Sequence, residues 1–192
     1  MILRIKCELF MSKIISVFLL FLLSPVLLFI AFLIIIDDGF PIFFKQKRVG
    51  KDNEFFPIFK FRTMKKNTPN IATHLMKSSD NYLTKTGPFL RKFSLDEIPQ
   101  LYNILRGELN FIGPRPALYN QTDLISLRTK KNIHLIRPGI TGWAQVNGRD
   151  ENTIKKKVDL DEYYLNNKSL FLNIKIIFLS LIKVLNASNV RT

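Results

Sequence analysis

The sequence predicts an α+β protein: an N-terminal helix-break-helix that enters a membrane, then a small mixed α/β domain with a β-hairpin and amphipathic helices. Three observations carry this. Ile14 to Ile36 is a run of 23 residues without a charge, interrupted at Ser24-Pro25. Pro41 to Met64 forms two apolar and basic arms around the turn-forming Gly50-Lys51-Asp52-Asn53. Apolar residues then recur at helical spacing after Ser94 and from Leu170 to Leu185.

The apolar run comes first in the chain. At 1.5 Å per residue it makes about 35 Å of helix, enough to cross a hydrocarbon core of about 30 Å. It exceeds a secretory signal's apolar region, and no small-residue cleavage site follows. Pro25 has no N–H for the carbonyl of Phe21, and Ser24 can bond back to Leu20 or Phe21; both effects bend a helix. Each arm then reaches about half the hydrocarbon depth. Arg4, Lys6 and Lys13 precede the run, and Lys45, Lys47, Arg48 and Lys51 follow Asp37 and Asp38, so flanking charge sets no clear orientation. The residues leave a kinked spanning helix and a re-entrant pair both open. Residues 1–38 are a membrane anchor in either case, and 39–192 form the remaining domain.

That domain can bury a core of its own: the 192-residue chain is 47% apolar. Its 29 Lys+Arg against 15 Asp+Glu give +14, which suits an anionic partner. A lone Cys7 permits no internal disulfide, and His74 and His134 stand too far apart to suggest zinc.

Within the hairpin, Phe59-Lys60-Phe61-Arg62-Thr63 alternates, so Lys60 and Arg62 share a face opposite the phenylalanines. That face is either solvated or a phosphate-holding pair. The phenylalanines alternate toward core, which argues against single-stranded nucleic acid as the partner. Lys65 to Asp80 is polar and aperiodic, a loop. A short helix over 87–92 then presents Arg91.

Next comes the stretch Phe93 to Leu101. Leu95, Ile98, Leu101, Tyr102 and Leu105 form one apolar stripe, and Ser94 with Glu97 matches a capping box. Pro99 disturbs a cap at Ser94 and is tolerated if Asp96 caps instead. Asp96 and Glu97 are then simple capping acids, or carboxylates held where backbone N–H groups also welcome a phosphate.

Two rigid basic stretches follow. Pro114 and Pro116 stiffen the backbone around Arg115. Arg137 to Arg149 holds the single tryptophan and three glycines, a density suited to a loop folded around a ligand. Asp159-Leu160-Asp161 is a weak match to a metal–diphosphate pair. Leu170 to Leu185 is a sixteen-residue amphipathic helix, too short and charged to span, which packs on the core or lies in the membrane interface.

Taken together, these pieces resemble the small monotopic phosphoglycosyltransferases of bacteria, sugar transferases that start lipid-linked glycan assembly. The resemblance rests on five stretches in order: the apolar segment broken at Ser24-Pro25, Lys60 to Met64, Ser94 to Glu97, Gly113 to Pro116, and Arg137 to Trp143. It covers nearly the whole chain and matches the short catalytic unit, without the extra membrane domain of larger members. It implies transfer of a sugar-1-phosphate from a nucleotide sugar, UDP-linked, to polyprenol phosphate with release of UMP. Asp96 would be the nucleophile of an aspartyl-phosphosugar intermediate. Glu97 would bind Mg²⁺ or help deprotonate the lipid phosphate, and Asp161 matches a family acid near the metal. Lys60, Arg91, Arg115 and Arg149 would clamp phosphates, with Arg62 and Arg137 as further candidates. It also implies a re-entrant anchor, a catalytic domain at the cytoplasmic face of the bacterial inner membrane, and membrane lipid as a partner.

Two other readings compete. A metal-dependent glycosyltransferase would use Asp159 and Asp161 and release UDP. A membrane-tethered basic binding protein would show strongly salt-dependent binding that survives Asp96→Asn.

Overall fold

A computed structural model describes residues 2–66, 68, 79–148 and 152–186, with the backbone alone for 2–7, 79 and 80. Most of the expected loop over 65–80 lies outside these residues, as does Arg149.

Helix α1 (Ile2–Leu22) and helix α2 (Ser24–Asp38) meet at Leu23 with a bend of 61°. The cause is local. Pro25 leaves the Phe21 carbonyl without its amide donor, and the Ser24 hydroxyl donates to that oxygen at 2.7 Å. Among the described residues no single helix is long and apolar enough to cross a membrane; the bent pair is, taken together.

The arms also build the core. Leu19, Leu20 and Leu23 pack on Phe56, Ile58, Leu101, Ile104 and Leu109. Ile30 and Ile34 are buried against Phe61 and Leu90. Each such side chain contributes about 1.5–3 kcal/mol. Ser16, fully buried, donates its hydroxyl to the carbonyl of Leu101. The outward faces stay apolar and uncovered, with Phe21 80% exposed and Leu28, Phe29 and Ile36 more than half exposed.

Strands β1 (Phe43–Val49) and β2 (Phe55–Phe61) form the expected antiparallel hairpin, in the register Phe44↔Lys60 and Gln46↔Ile58. Helix α3 (Gly87–Lys92) has the expected bounds. After it the structure departs from expectation. Leu95–Glu97 is a single 3₁₀ turn, and helix α4 (Gln100–Arg106) begins only after Pro99, which serves as its N-cap. Ser94 sits in the left-handed region (φ 55°) and makes no capping bond, so no capping box forms. Pro99 ends the turn and lies outside α4, where its ring and missing N–H are harmless. Tyr102 leaves the expected stripe, half-exposed and edge-on to Phe59 at 5.4 Å.

Strand β3 (Asn110–Ile112) pairs in parallel with β4 (Gly139–Thr141), joining the two stretches expected to be rigid loops. Helix α5 (Thr122–Lys130) lies between them; helices α6 (Trp143–Val146), α7 (Ile154–Asn167) and α8 (Leu170–Leu185) follow. Their mixed polar faces explain why apolar spacing does not predict α5 and α7. Helix α8 is amphipathic, as expected, with Asn173 and Ser180 bonded to Tyr164 and Thr141 on its inner side. Leu172 and Ile176 are buried against Val146 and Tyr164, while Phe171, Ile174, Phe178, Leu181 and Leu185 face outward.

Candidate active site

The 3₁₀ turn between α3 and α4 brings Asp96 and Glu97 inside, at 8% and 9% exposure. Two adjacent buried carboxylates need cations. Lys60, from the end of β2, supplies one: its Nζ donates to Glu97 Oε1 at 2.6 Å and stands 3.8 Å from Asp96 Oδ2. Arg115 supplies a second at 3.1 Å from the same Glu97 oxygen. Burial pushes the Asp96 carboxyl above the usual carboxylate range; the charge of Lys60 opposes this, Glu97 adds to it, and Arg91 and Arg115 again oppose. The arrangement is a carboxyl raised by burial, beside cations suited to holding phosphate.

The strand is held in place by a side chain without a sequence signal. Asn103, fully buried on α4, donates to the Pro57 carbonyl at 2.7 Å and accepts from the Phe59 amide at 3.0 Å. It therefore replaces a neighbouring strand along β2 and fixes Lys60 against the acidic turn.

The Arg115 loop is tethered on both sides. Arg48 donates to the Pro116 carbonyl at 3.0 Å, and Arg128 to the Arg115 carbonyl at 2.8 Å. Burial and the neighbouring Arg115 push the Arg48 guanidinium down to about 10, against the pull of Glu97, as dense positive charge requires. Behind the loop, Gly113, Gly139 and Gly142 let two backbones touch. A Cβ on Gly139 would overlap the nitrogen of Gly113, and one on Gly142 its carbonyl oxygen.

Several expected site residues lie elsewhere. Arg62, buried just beyond β2, turns to Asp38 and the carbonyls of Asp38 and Gly39 and does not share a phosphate-facing surface with Lys60. Arg137 Nε donates to the Gly107 carbonyl at 2.9 Å, closing the end of α4. In that stretch Gly139 and Gly142 lie against the Gly113 backbone, and Trp143 stacks on Tyr163 at 5.6 Å. Arg91 stays with the site, its charge acting on Asp96, and its Nε donates to Thr63 Oγ1 at 2.9 Å.

Asp161, 1% exposed, accepts at Oδ2 from Arg128 at 2.6 Å and 3.0 Å. Asp159 faces away and pairs with Lys131 at 2.9 Å, as positions two apart on a helix must. The pair cannot hold one ion together. Among the described residues no three His, Cys, Asp or Glu side chains gather as a metal site, and the Asp161 carboxylate is taken up by Arg128. The adjacent acids themselves do fit Mg²⁺, which takes one or two carboxylates and completes its shell with substrate phosphates and water. Their mutual repulsion is what a cation there would relieve.

Paired buried acids in a cationic frame therefore stand beside a bent apolar helix pair. The sequence matches the bacterial sugar transferase family over residues 5–187, and the chain belongs to that family. The uncharacterized sugar transferase EpsL of Bacillus subtilis (strain 168) is 42% identical over 178 residues, 92% of this chain and 86% of EpsL. The UDP-N-acetylgalactosamine-undecaprenyl-phosphate N-acetylgalactosaminephosphotransferase of Aeromonas hydrophila is 36% identical over 88% of this chain, but over 41% of its own length. The UDP-glucose:undecaprenyl-phosphate glucose-1-phosphate transferase of Xanthomonas campestris pv. campestris is 39% identical, over 91% of this chain and 38% of that enzyme. The chain thus spans well under half of these two relatives named for an activity.

Proposed function

We propose that this protein transfers a sugar-1-phosphate from a UDP-sugar to a polyprenol phosphate, releasing UMP, through an acyl phosphate that joins Asp96 to the sugar-phosphate. The observation that carries this is the Asp96–Glu97 pair, buried within reach of Lys60 and Arg115. The activities named for the Aeromonas and Xanthomonas relatives agree with it.

The chemistry divides into two displacements. A carboxylate oxygen of Asp96 bonds to the phosphorus bearing the sugar, and the bond from that phosphorus to the bridging oxygen breaks, so UMP leaves with the electron pair. An oxygen of polyprenol phosphate then attacks the same phosphorus and Asp96 leaves as carboxylate. Lys60 and Arg115 neutralise charge gathering on the phosphoryl oxygens, which is most of what catalysis of this transfer needs. Glu97, with the donor's phosphate oxygens, would hold Mg²⁺, which when bound adds Lewis-acid neutralisation of the diphosphate. Burial excludes water, which would otherwise hydrolyse the acyl phosphate.

The test is direct. Incubated with a panel of UDP-sugars and no lipid, the protein should gain one sugar-phosphate on the peptide containing Asp96 and release UMP. Release of UDP, or a label on another residue, would refute the reading.

The same proposal takes the bent α1–α2 pair as a re-entrant anchor at the cytoplasmic face of the inner membrane, with the outer face of α8 in the interface. The uncovered apolar faces of all three helices support it. Single cysteines placed near either end, in a Cys7-free background, should react with an impermeant maleimide only from the cytoplasm. Labelling from opposite sides would establish a spanning helix.

A further inference from the structure

Acids at the end of a helix oppose its dipole, by about 0.3–1 kcal/mol each. Yet α2 ends in Asp37-Asp38. Both carboxylates reach across the fold. Asp37 accepts from the Thr86 amide at 2.7 Å, the Thr86 hydroxyl at 2.8 Å and the Lys85 amide at 3.2 Å. Thr86 is the N-cap of α3 but makes no capping bond of its own, so Asp37 takes the amides at the entry of the helix that carries Arg91. Burial pulls the Asp37 carboxyl upward, but these bonds outweigh it and hold it below the usual carboxylate range. Asp38 binds Arg62, whose backbone continues β2 two residues beyond Lys60. Arg62 also donates to the carbonyls of Asp38 and Gly39, and its amide donates to Ile42 at 2.9 Å. Arg91 closes the loop through Thr63.

The strand bearing Lys60 and the helix bearing Arg91 are therefore moored to consecutive residues at one end of α2. The rest of α2 turns Leu28, Phe29, Phe32 and Ile36 outward. We propose that Asp37 and Asp38 are positioning residues that make the placement of Lys60 and Arg91 follow the seating of α2 in lipid. This rests on the reading of α2 as an anchor and of the acidic turn as the reacting centre. A helix whose apolar length mismatches the bilayer tilts or shifts, and here the shift is delivered to both sides of Asp96.

The experiment uses the full chain in phosphatidylglycerol–phosphatidylethanolamine vesicles whose acyl chains run from about 14 to about 22 carbons. Amide hydrogen exchange is followed over 84–92, and UMP release with the UDP-sugar that the panel selects. In the wild type, exchange at 85–91 and kcat should both change with chain length. Asp37→Ala should exchange roughly 10-fold faster there, lose its dependence on chain length, and lower kcat about 10- to 100-fold. KM for the UDP-sugar should stay within about twofold, and exchange in β3 and α7 should not change. Asp37→Asn, which keeps one acceptor oxygen, should recover part of both effects. Asp38→Asn should act on β2 and leave 85–91 protected.

Exchange at 85–91 that ignores chain length in the wild type would overturn the proposal, as would an Asp37→Ala protein with wild-type kcat. Uniformly faster exchange with a fall in melting temperature would replace positioning by a merely structural role. If the wild type released UMP from no UDP-sugar, the proposed reaction would fail, and exchange alone would still decide the coupling.

Discussion

Asp96→Asn is expected to abolish the covalent adduct and to lower turnover by at least about 10³-fold, while the protein folds and inserts normally. An amide cannot attack phosphorus as a carboxylate does, and the neighbouring Glu97 is committed at Oε1 to Lys60 and Arg115. The same variant should melt about 2–4 °C higher at neutral pH, equivalent to about 1 kcal/mol. The sign follows from burial, which raises the Asp96 carboxyl above its ordinary value. The folded protein then keeps that proton to higher pH than the unfolded chain does. Stability accordingly falls as pH rises from the ordinary carboxylate value through the raised one, and asparagine removes this loss. Adduct formation by the wild type should show its acid limb above the ordinary carboxylate range, since the attacking oxygen must be ionised. Residual turnover near the wild-type level would remove Asp96 from the chemistry.

Arg128→Met should destabilise by about 3–5 kcal/mol, on the order of 10 °C in melting temperature, because it strands a carboxylate that is 1% exposed. Asp161 has its charge opposed by burial and favoured chiefly by Arg128. Replacing both residues, Arg128→Met with Asp161→Leu, should return most of the stability, since apolar pairs of similar volume often equal a buried ion pair. Turnover should not return. The Arg115 carbonyl would still lack the donor that holds it at 2.8 Å, and the guanidinium beside Glu97 would lose its fixed aim. Thermal melts and UMP release on the single and double variants decide it: full recovery of turnover in the double variant would leave Arg128 a purely structural residue.

The contrast between these two residues shows what the sequence carries. Asp96 and Glu97 stand out as adjacent acids, but the local residues leave helix caps and site carboxylates both open, and only the family resemblance separates them. The bend at Ser24-Pro25, the hairpin around Gly50 to Asn53, and the bounds of α3 and α8 also stand out, each set by local propensity or apolar spacing. Arg128, Asn103 and Asp37 work through partners 33, 44 and 49 residues away. No local pattern specifies such pairs. The same limit misdirected one expectation. Alternation within β2 put Arg62 beside Lys60, but the strand ends at Phe61 and Arg62 pairs with the end of α2 instead. The helix-end setting expected for Asp96 gave way to a 3₁₀ turn because Pro99 delays α4 to Gln100.

Asn103 has an effect beyond holding Lys60. A two-stranded hairpin leaves its outer backbone groups open, and such a margin invites other chains to add themselves strand upon strand. Here the carbonyl of Pro57 and the amide of Phe59 are already taken by one side-chain amide, and Pro57 brings no N–H of its own. Asn103 thus closes part of the outer margin of β2 to such additions, as the bridge from Arg48 to Leu118 does for β1.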